Sequence, residues 1–375
     1  MAETPTQDAR PFAWASRLAP RLVFPVVAFV VWRLAIHFLA WLSWTLDDRL
    51  RNGQWIERTP ELRAAGPAFD ALYRWDAGWY WAIARSPYTD PHHANFFPAF
   101  PLEARALGTL FTLDLQLALL LAATINALIA CVALYLLVER IAGRDAARWS
   151  LVAWLAYPFS FFQATAYPES LTVAAGAAAL ALEVSGHRVW SLIGAGLSAF
   201  TRHTSAYGAL AQALYRFSRG KWWSRPLPLV AWGLGLSVFC AFLWKTYGDP
   251  LMFLTVRNLY WADGFKPIWE LTIAGSPMMI PGAVFCVALT VIGLIGLASH
   301  PSTRFLLLPT VLWLGVLLIN GATGLGRHSS SVWPAFVGIG VLCANRPTWA
   351  AVFLALTAPF GGLMLFLHAH QWHVF

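Results

Sequence analysis

The chain has 375 residues, 58% of them hydrophobic and 12% charged, with a mean hydropathy of +0.57 and a formal net charge of +8. Soluble domains carry about 25% charged residues, so this sequence has too little polar surface to face water on all sides. The positive excess forms no basic stripe of the kind that binds nucleic acid; Arg140, Arg144, Arg148, Arg216, Lys221 and Arg225 fall in alternate connections between apolar runs.

Those runs set the fold class. Leu115–Val138 and Pro277–Ala298 match the roughly 20 apolar residues that cross a bilayer, and the 21 tryptophans gather near the ends of such runs as interfacial belts do. The predicted architecture is an all-α polytopic helical bundle of about 11 transmembrane helices, one domain over 1–375. The excess of Arg and Lys in alternate loops marks the cytoplasmic side. Asp47, Asp48, Asp70, Asp76 and Asp90 fall on the other side.

In chain order, residues 1–21 carry charge and prolines without a cleavage signature and read as a cytoplasmic tail. A first span over about Leu22–Trp44 leads to a long outer loop, 45–112, of polar, aromatic and proline-rich pieces. Loops of that length in a compact domain are usually functional. A second span over about Leu113–Val138 returns to a cytoplasmic loop, Glu139–Arg148. Two short hairpins follow. Trp149–Phe162 rises and Ser170–Leu182 descends around a turn at Gln163–Glu169; Val189–Phe200 rises and Ala206–Phe217 descends around Thr201–Ser205. Helices of 12 to 14 residues reach only about 18–21 Å against a core of about 30 Å. Their outer tips should therefore floor a cavity open to the outside, since irregular backbone at membrane depth is tolerated only where protein or water meets it. Further spans are Leu227–Lys245, Pro277–Ala298, Phe305–Asn320, Val332–Ala344 and about Trp349–Leu367, with outer connections at Tyr247–Ser276 and Gly321–Ser331.

The outer loop contains Arg74-Trp75-Asp76-Ala77-Gly78-Trp79-Tyr80, a carboxylate among aromatic rings at the edge of the membrane. As a local feature, Asp76 suits the cap of a helix over Ala77–Arg85. The stretch also resembles the RWDsxWY signature in the first outer loop of GPI mannosyltransferase II–like proteins. Asn95-Phe96-Phe97-Pro98-Ala99-Phe100-Pro101-Leu102 is similar to that family's FFPxyPL, Ala166-Tyr167-Pro168-Glu169-Ser170-Leu171 to its YtESL, and Thr201-Arg202-His203-Thr204-Ser205 to its tRstG. Gly326-Arg327-His328 with Trp333-Pro334-Ala335-Phe336 is a looser echo of RY…fPxf. The resemblance implies a GT-C glycosyltransferase that takes a sugar, typically mannose, from a polyprenyl-phosphate carrier and passes it to an acceptor on the non-cytoplasmic side. The family's catalytic aspartate maps onto Asp76. His328 stands where the family usually has Tyr, and His203-Thr204-Ser205 replaces Ser-Thr-Gly.

The residues suit that chemistry on their own terms. A lipid-linked phosphate is a stable leaving group that needs no strong general acid, so one positioned carboxylate to deprotonate the acceptor hydroxyl and cations to hold the phosphate suffice. Arg202, at a hairpin tip near membrane depth, is a candidate for the carrier phosphate together with His203; the alternative is a cation reaching for the outer interface. Arg327, beside His328, is a second phosphate candidate, because arginine makes bidentate phosphate contacts; an exposed loop charge is the alternative. Arg257 and Lys266 are weaker candidates. Glu169 suits sugar hydroxyls, a pairing with Arg202, a second carboxylate in the chemistry, or merely the first turn of a helix. Arg74, Trp75, Trp79 and Tyr80 complete a possible sugar or network set around Asp76. Arg33, mid-way along the first span, receives no role.

No nucleotide-binding fingerprint is present, and Asp47-Asp48 is adjacent rather than spaced for a metal. His92-His93 and His368, His370 and His373 lack a spaced carboxylate or thiolate, and Cys131, Cys240, Cys286 and Cys343 lie in separate apolar runs. No metal or cofactor is expected. The expected partners are a polyprenyl-phosphate sugar, an acceptor of unspecified class (glycolipid, polymer or secreted protein) and the bilayer, in a bacterial plasma membrane with the N-terminus cytoplasmic. A transporter or flippase of a lipid-linked glycan is the alternative, since it too carries intramembrane charges and broken helices.

Overall fold

The computed structural model describes residues 13–46, 65–217, 221–260, 280–320, 324–344, 346–370, 372 and 374. The described residues are helical with short connections. In chain order the helices are α1 Ala13–Leu46, α2 Pro67–Asp70, α3 Ala77–Arg85, α4 Ala99–Phe111, α5 Leu115–Ala142, α6 Arg144–Leu155, α7 Glu169–Val184 and α8 Arg188–Ser198. There follow α9 Ala206–Phe217, α10 Leu227–Tyr247, α11 Met252–Tyr260, α12 Ile280–Ser299, α13 Leu307–Asn320, α14 Leu325–Ser329, α15 Trp333–Ala344 and α16 Pro347–Ala369.

Among the described residues, six stretches are long and apolar enough to cross a bilayer: Pro20–Ser43, Leu115–Ala142, Trp222–Tyr247, Ile280–Ser299, Pro301–Ile319 and Thr348–Ala369. The helices α6 to α9 and α15 have 11 to 16 residues, too few to cross a core of about 30 Å as straight rods. Most of the tail at 1–21, residues 47–64 of the expected outer loop including Asp47 and Asp48, and Lys266 and His373 lie outside the described residues.

One predicted boundary moves. The loop expected at Glu139–Arg148 shrinks to Gly143, whose φ of +93° lets α5 stop and α6 begin at once. Charges there had suggested a loop, but they cluster around Glu139, which accepts from Arg21 Nε at 2.7 Å and lies 3.5 Å from Arg144 Nε. At the same end of the bundle, Glu183 and Arg216 form a buried pair with Oε2 2.5 Å from Nη2.

At the other end, the tips of the α6–α7 and α8–α9 hairpins are stitched to the segment 65–112 by backbone hydrogen bonds. Ala166 N donates to Leu72 O at 3.2 Å, and Ala99 N donates to Phe200 O at 3.0 Å. Helix α5, lined by buried alanines including Ala118, Ala122, Ala127 and Ala130, is narrow enough for α7 to lie along it. The buried Arg33 of α1 donates from Nη1 to Ala164 O at 3.0 Å and from Nη2 to Thr124 Oγ1 at 2.7 Å. It thus pins the first tip from below, a structural task for the residue left without a role.

Helices α12 and α15 cross backbone to backbone. A Cβ on Gly296 would strike the Gly338 carbonyl, and one on Gly338 would strike Gly293, the small-residue contact by which membrane helices approach closely. Gly338→Ala should therefore force the pair apart and destabilise the fold by about 1–3 kcal/mol. Gly315→Ala, with open space around its Cβ, should not. Thermal unfolding in detergent checks this, and equal shifts for the two variants would contradict it.

Candidate active site

The turn that carries Asp76 is built by Arg74. Its guanidinium is buried and folds back on its own segment, with Nη2 3.0 Å from Asp70 Oδ2 and Nη1 donating to the carbonyls of Tyr73 at 2.8 Å and Asp70. Nη2 also lies 3.4 Å from the Ala369 carbonyl at the end of α16. Trp75 follows with φ +51°, a left-handed conformation that bulky residues rarely adopt. This reversal delivers Asp76 to the start of α3. The carboxylate does not cap that helix. It turns instead to Arg327, whose Nη1 donates to Oδ2 at 2.5 Å.

Arg327 stands on α14 and joins two acids. Its Nε donates at 2.5 Å to Oε1 of Glu169, at the start of α7. The same oxygen accepts from Arg202 Nη1 at 2.7 Å. Arg202 in turn has Nη2 3.4 Å from His328 Nε2. The result is a line of alternating charge, Asp76–Arg327–Glu169–Arg202, with His328 at its end. Glu169 is fully buried and its Oε2 has no hydrogen-bond partner, whereas the Asp76 side chain is 33% exposed. Asp76 Oδ1 takes no hydrogen bond from the described residues. The backbone of Arg327 is fixed from behind by Ser330, whose Oγ donates to the Arg327 carbonyl at 2.6 Å and accepts from Gln163 Nε2 at 2.8 Å.

The remaining candidates divide. His203 lies at the rim, its ring centroid 6.1 Å from that of Phe97. Trp79 stacks against His92 and Phe96, each at 5.7 Å, and Tyr80 is buried edge-on to Phe96, Phe100 and Tyr167. The rings of Trp79 and Tyr80 are thus engaged in packing, and Arg74 faces inward. Trp75 is half-buried beside Asp76. Arg257, on α11, is close enough to press electrostatically on Arg202, His203 and His328. The residue that sequence reasoning passed over is Tyr167, whose ring lies 4.1 Å beneath the Arg327 guanidinium; its place directly before Pro168-Glu169 was the available signal.

Both histidines are only partly buried, and desolvation beside neighbouring arginines lowers their affinity for a proton. It lowers His203 to about 3, aided by Arg257 and Arg202. It lowers His328 well below its usual value, aided first by Arg202 and Arg327. Arg327 keeps its proton firmly: burial opposes the charge, but Glu169 and Asp76 outweigh it. Among the described residues, no three His, Cys, Asp or Glu side chains are grouped to hold a metal ion; the site's two carboxylates are bridged by a guanidinium. What the arrangement offers is one solvent-facing carboxylate beside two fixed cations.

No protein-family model matches the sequence, and no curated protein matches it. Solved structures do match in fold. ArnT from Cupriavidus metallidurans, crystallised with undecaprenyl phosphate bound, superposes with a TM-score of 0.55 at 15% identity, over 86% of this chain and 60% of its own. The Archaeoglobus fulgidus oligosaccharyltransferase tethered to an acceptor peptide gives 0.53 at 12% identity, over 93% and 55%. The same archaeal enzyme, AglB, in complex with an inhibitory peptide and a dolichol-phosphate, gives 0.53 at 13% identity, over 94% and 56%. The shared feature is the helical fold. The chain spans just over half the length of these proteins.

The histidine shifts fix a pH dependence. Below the ordinary histidine value of 6.5, the unfolded chain binds protons that His203 and His328 in the folded site resist, so stability falls as pH drops. For His203 the loss continues down to about 3. Each histidine contributes at most about 1.4 kcal/mol per pH unit. Comparing thermal unfolding at pH 7 and pH 5, the wild type should lose more stability than His328→Gln; identical losses would refute the assignment.

Proposed function

We propose that this chain is a GT-C glycosyltransferase that moves a sugar from a polyprenyl-phosphate carrier to an acceptor hydroxyl on the non-cytoplasmic face of a bacterial plasma membrane. The motifs it shares with GPI mannosyltransferase II–like proteins favour mannose as the sugar. The fold supports the class, since proteins of the same fold include one with undecaprenyl phosphate bound and one with a dolichol-phosphate bound. The observation that carries the reading is the Asp76 carboxylate, with one oxygen held by Arg327 and the other unengaged among the described residues, and with Arg202 joined to the same cluster through Glu169.

In this reading Asp76 Oδ1 accepts the proton of the acceptor hydroxyl as its oxygen attacks the anomeric carbon. The bond from that carbon to the phosphate oxygen breaks on the opposite side, and its electron pair stays with the phosphate, so configuration inverts. Arg202 and Arg327 stabilise the charge that gathers on the departing phosphate. Arg327 serves both partners: its contact with Oδ2 aims the carboxylate, and its remaining face is turned to the phosphate. His328, neutral and next to Arg202, donates or accepts a hydrogen bond without adding charge. Glu169 fixes the two arginines and does not contact the reacting atoms. The cation that bridges the two acids belongs to the protein, so no divalent ion is required.

Two measurements test this. Purified protein in micelles, given polyprenyl-phosphate mannose and an acceptor fraction from bacterial membranes, should transfer the sugar. A transporter, which needs two compartments, would not. Asp76→Asn, which keeps an oxygen for Arg327, should remain folded and lose about 10²–10⁴-fold in turnover, the range for a general base; near-native turnover removes Asp76 from the mechanism. Wild-type activity should also survive EDTA, and loss of activity restored by Mg²⁺ or Mn²⁺ would replace the guanidinium reading with a metal-dependent one.

A further inference from the structure

Tyr167 occupies a position that packing alone does not explain. Its side chain is fully buried at the tip of the α6–α7 hairpin. The hydroxyl donates at 2.6 Å to the carbonyl of Arg74, and the ring carries the Arg327 guanidinium at 4.1 Å. Arg74 lies two residues before Asp76, across the left-handed Trp75. Arg327 holds Asp76 Oδ2. These contacts close a ring: hydroxyl to Arg74 carbonyl, through the backbone to Asp76, across to Arg327, and back onto the aromatic face.

The tip itself is rigid. Arg33 holds the Ala164 carbonyl, Thr165 Oγ1 donates to Phe162 O at 2.9 Å, and Ala166 N is bonded to Leu72 O. Tyr167 therefore transmits a fixed frame to both halves of the site. The hydroxyl keeps the 74–76 turn in a backbone conformation that costs energy at Trp75. The ring supports Arg327 through a cation–π contact strengthened by desolvation. Without the hydroxyl, the Arg74 carbonyl keeps only the Ala77 backbone N–H at 3.1 Å and the turn loses its tie to the hairpin tip, which lets Asp76 shift relative to the cation while leaving Arg327 supported.

We infer that Tyr167 is a positioning residue that sets Asp76 against Arg327, acting on the base through its hydroxyl and on the cation through its ring. The inference rests on the glycosyltransferase reading for its kinetic consequence and not for its geometric one. Kinetics in micelles with polyprenyl-phosphate mannose as donor separate the two contacts. Tyr167→Phe should lower kcat about tenfold with donor KM within twofold, because the ring remains. Tyr167→Leu should lower kcat further and raise donor KM. Tyr135→Phe, at a buried tyrosine packed on Phe24 away from the site, should leave kcat unchanged.

A role confined to packing predicts a loss of folded fraction in proportion to the loss of turnover, with kcat per folded molecule unaltered. That result, or wild-type kcat in Tyr167→Phe, overturns the inference. A double-mutant cycle in thermal stability between Tyr167→Phe and Asp76→Asn needs no turnover. Non-additive effects are expected, since both act on the same turn, and additive ones refute the coupling even if no substrate is found. A wild-type protein that transfers no sugar while the cycle shows coupling defeats the proposed reaction and leaves the positioning role standing.

Discussion

A carboxylate sealed from water and shared by two guanidiniums organises the active end of this protein. Glu169 Oε1 accepts from Arg202 and from Arg327, and neither arginine is free to leave without exposing an uncompensated charge in a low-dielectric interior. Breaking such a buried pair typically costs about 3–5 kcal/mol, which far exceeds the worth of a surface contact. Burial raises the carboxyl group's affinity for its proton, but Arg327 and Arg202 more than offset this and hold Glu169 below its usual range. The acid remains ionised because two cations surround it, and they remain in place because it is ionised. Three segments that are far apart in sequence are thereby locked at one point.

The short helices make that point possible. A hairpin of full-length helices would put its turn in the aqueous phase, where Glu169 and Arg202 would be screened and mobile. With helices of 11 to 16 residues, the tips stop beneath the outer loop, and that loop closes over them through the Ala166–Leu72 and Ala99–Phe200 hydrogen bonds. Arg33 performs the matching task from inside the membrane by satisfying the Ala164 carbonyl, which would otherwise be an unpaired acceptor at depth. The irregular backbone that a hairpin tip requires is thus provided with partners above and below.

The reach of sequence reasoning follows from what each residue's role depends on. Hairpins of deficient length were legible because helix length is a count of apolar residues. Tips carrying an acid and an arginine suggested the Glu169–Arg202 pairing, which the structure has. Asp76 stood out because a lone carboxylate beside tryptophans needs a reason to be at a membrane edge. Arg74 was not legible in the same way: whether an arginine faces a ligand or folds back on Asp70 depends on the left-handed Trp75 beside it, and a non-glycine residue gives no warning of that conformation. Trp79 and Tyr80 were candidates to stack on a sugar, but His92 and Phe96, more than ten residues downstream, return to occupy the Trp79 ring. The helix start at Arg144 was obscured because charged residues at a membrane boundary look alike in a loop and in a first turn.

The two carboxylates meet a single guanidinium through different nitrogens, yet their surroundings differ in exposure and in the number of cations held. Glu169 has one oxygen saturated by cations and the other enclosed, so neither can reach a substrate. Asp76 has one oxygen held and one unengaged, on a side chain one-third exposed. Arg327 gives both a common reference, since a shift that lengthened its contact with Glu169 would shorten or tilt its contact with Asp76. A carboxylate aimed in this way does not need to be ordered by a bound ligand, which would remove an entropic cost from the binding step in the proposed reaction. The same constraint explains why the guanidinium lies over an aromatic ring: the face of Tyr167 supports the cation without competing for its hydrogen-bond donors, and so leaves those donors for the carboxylates.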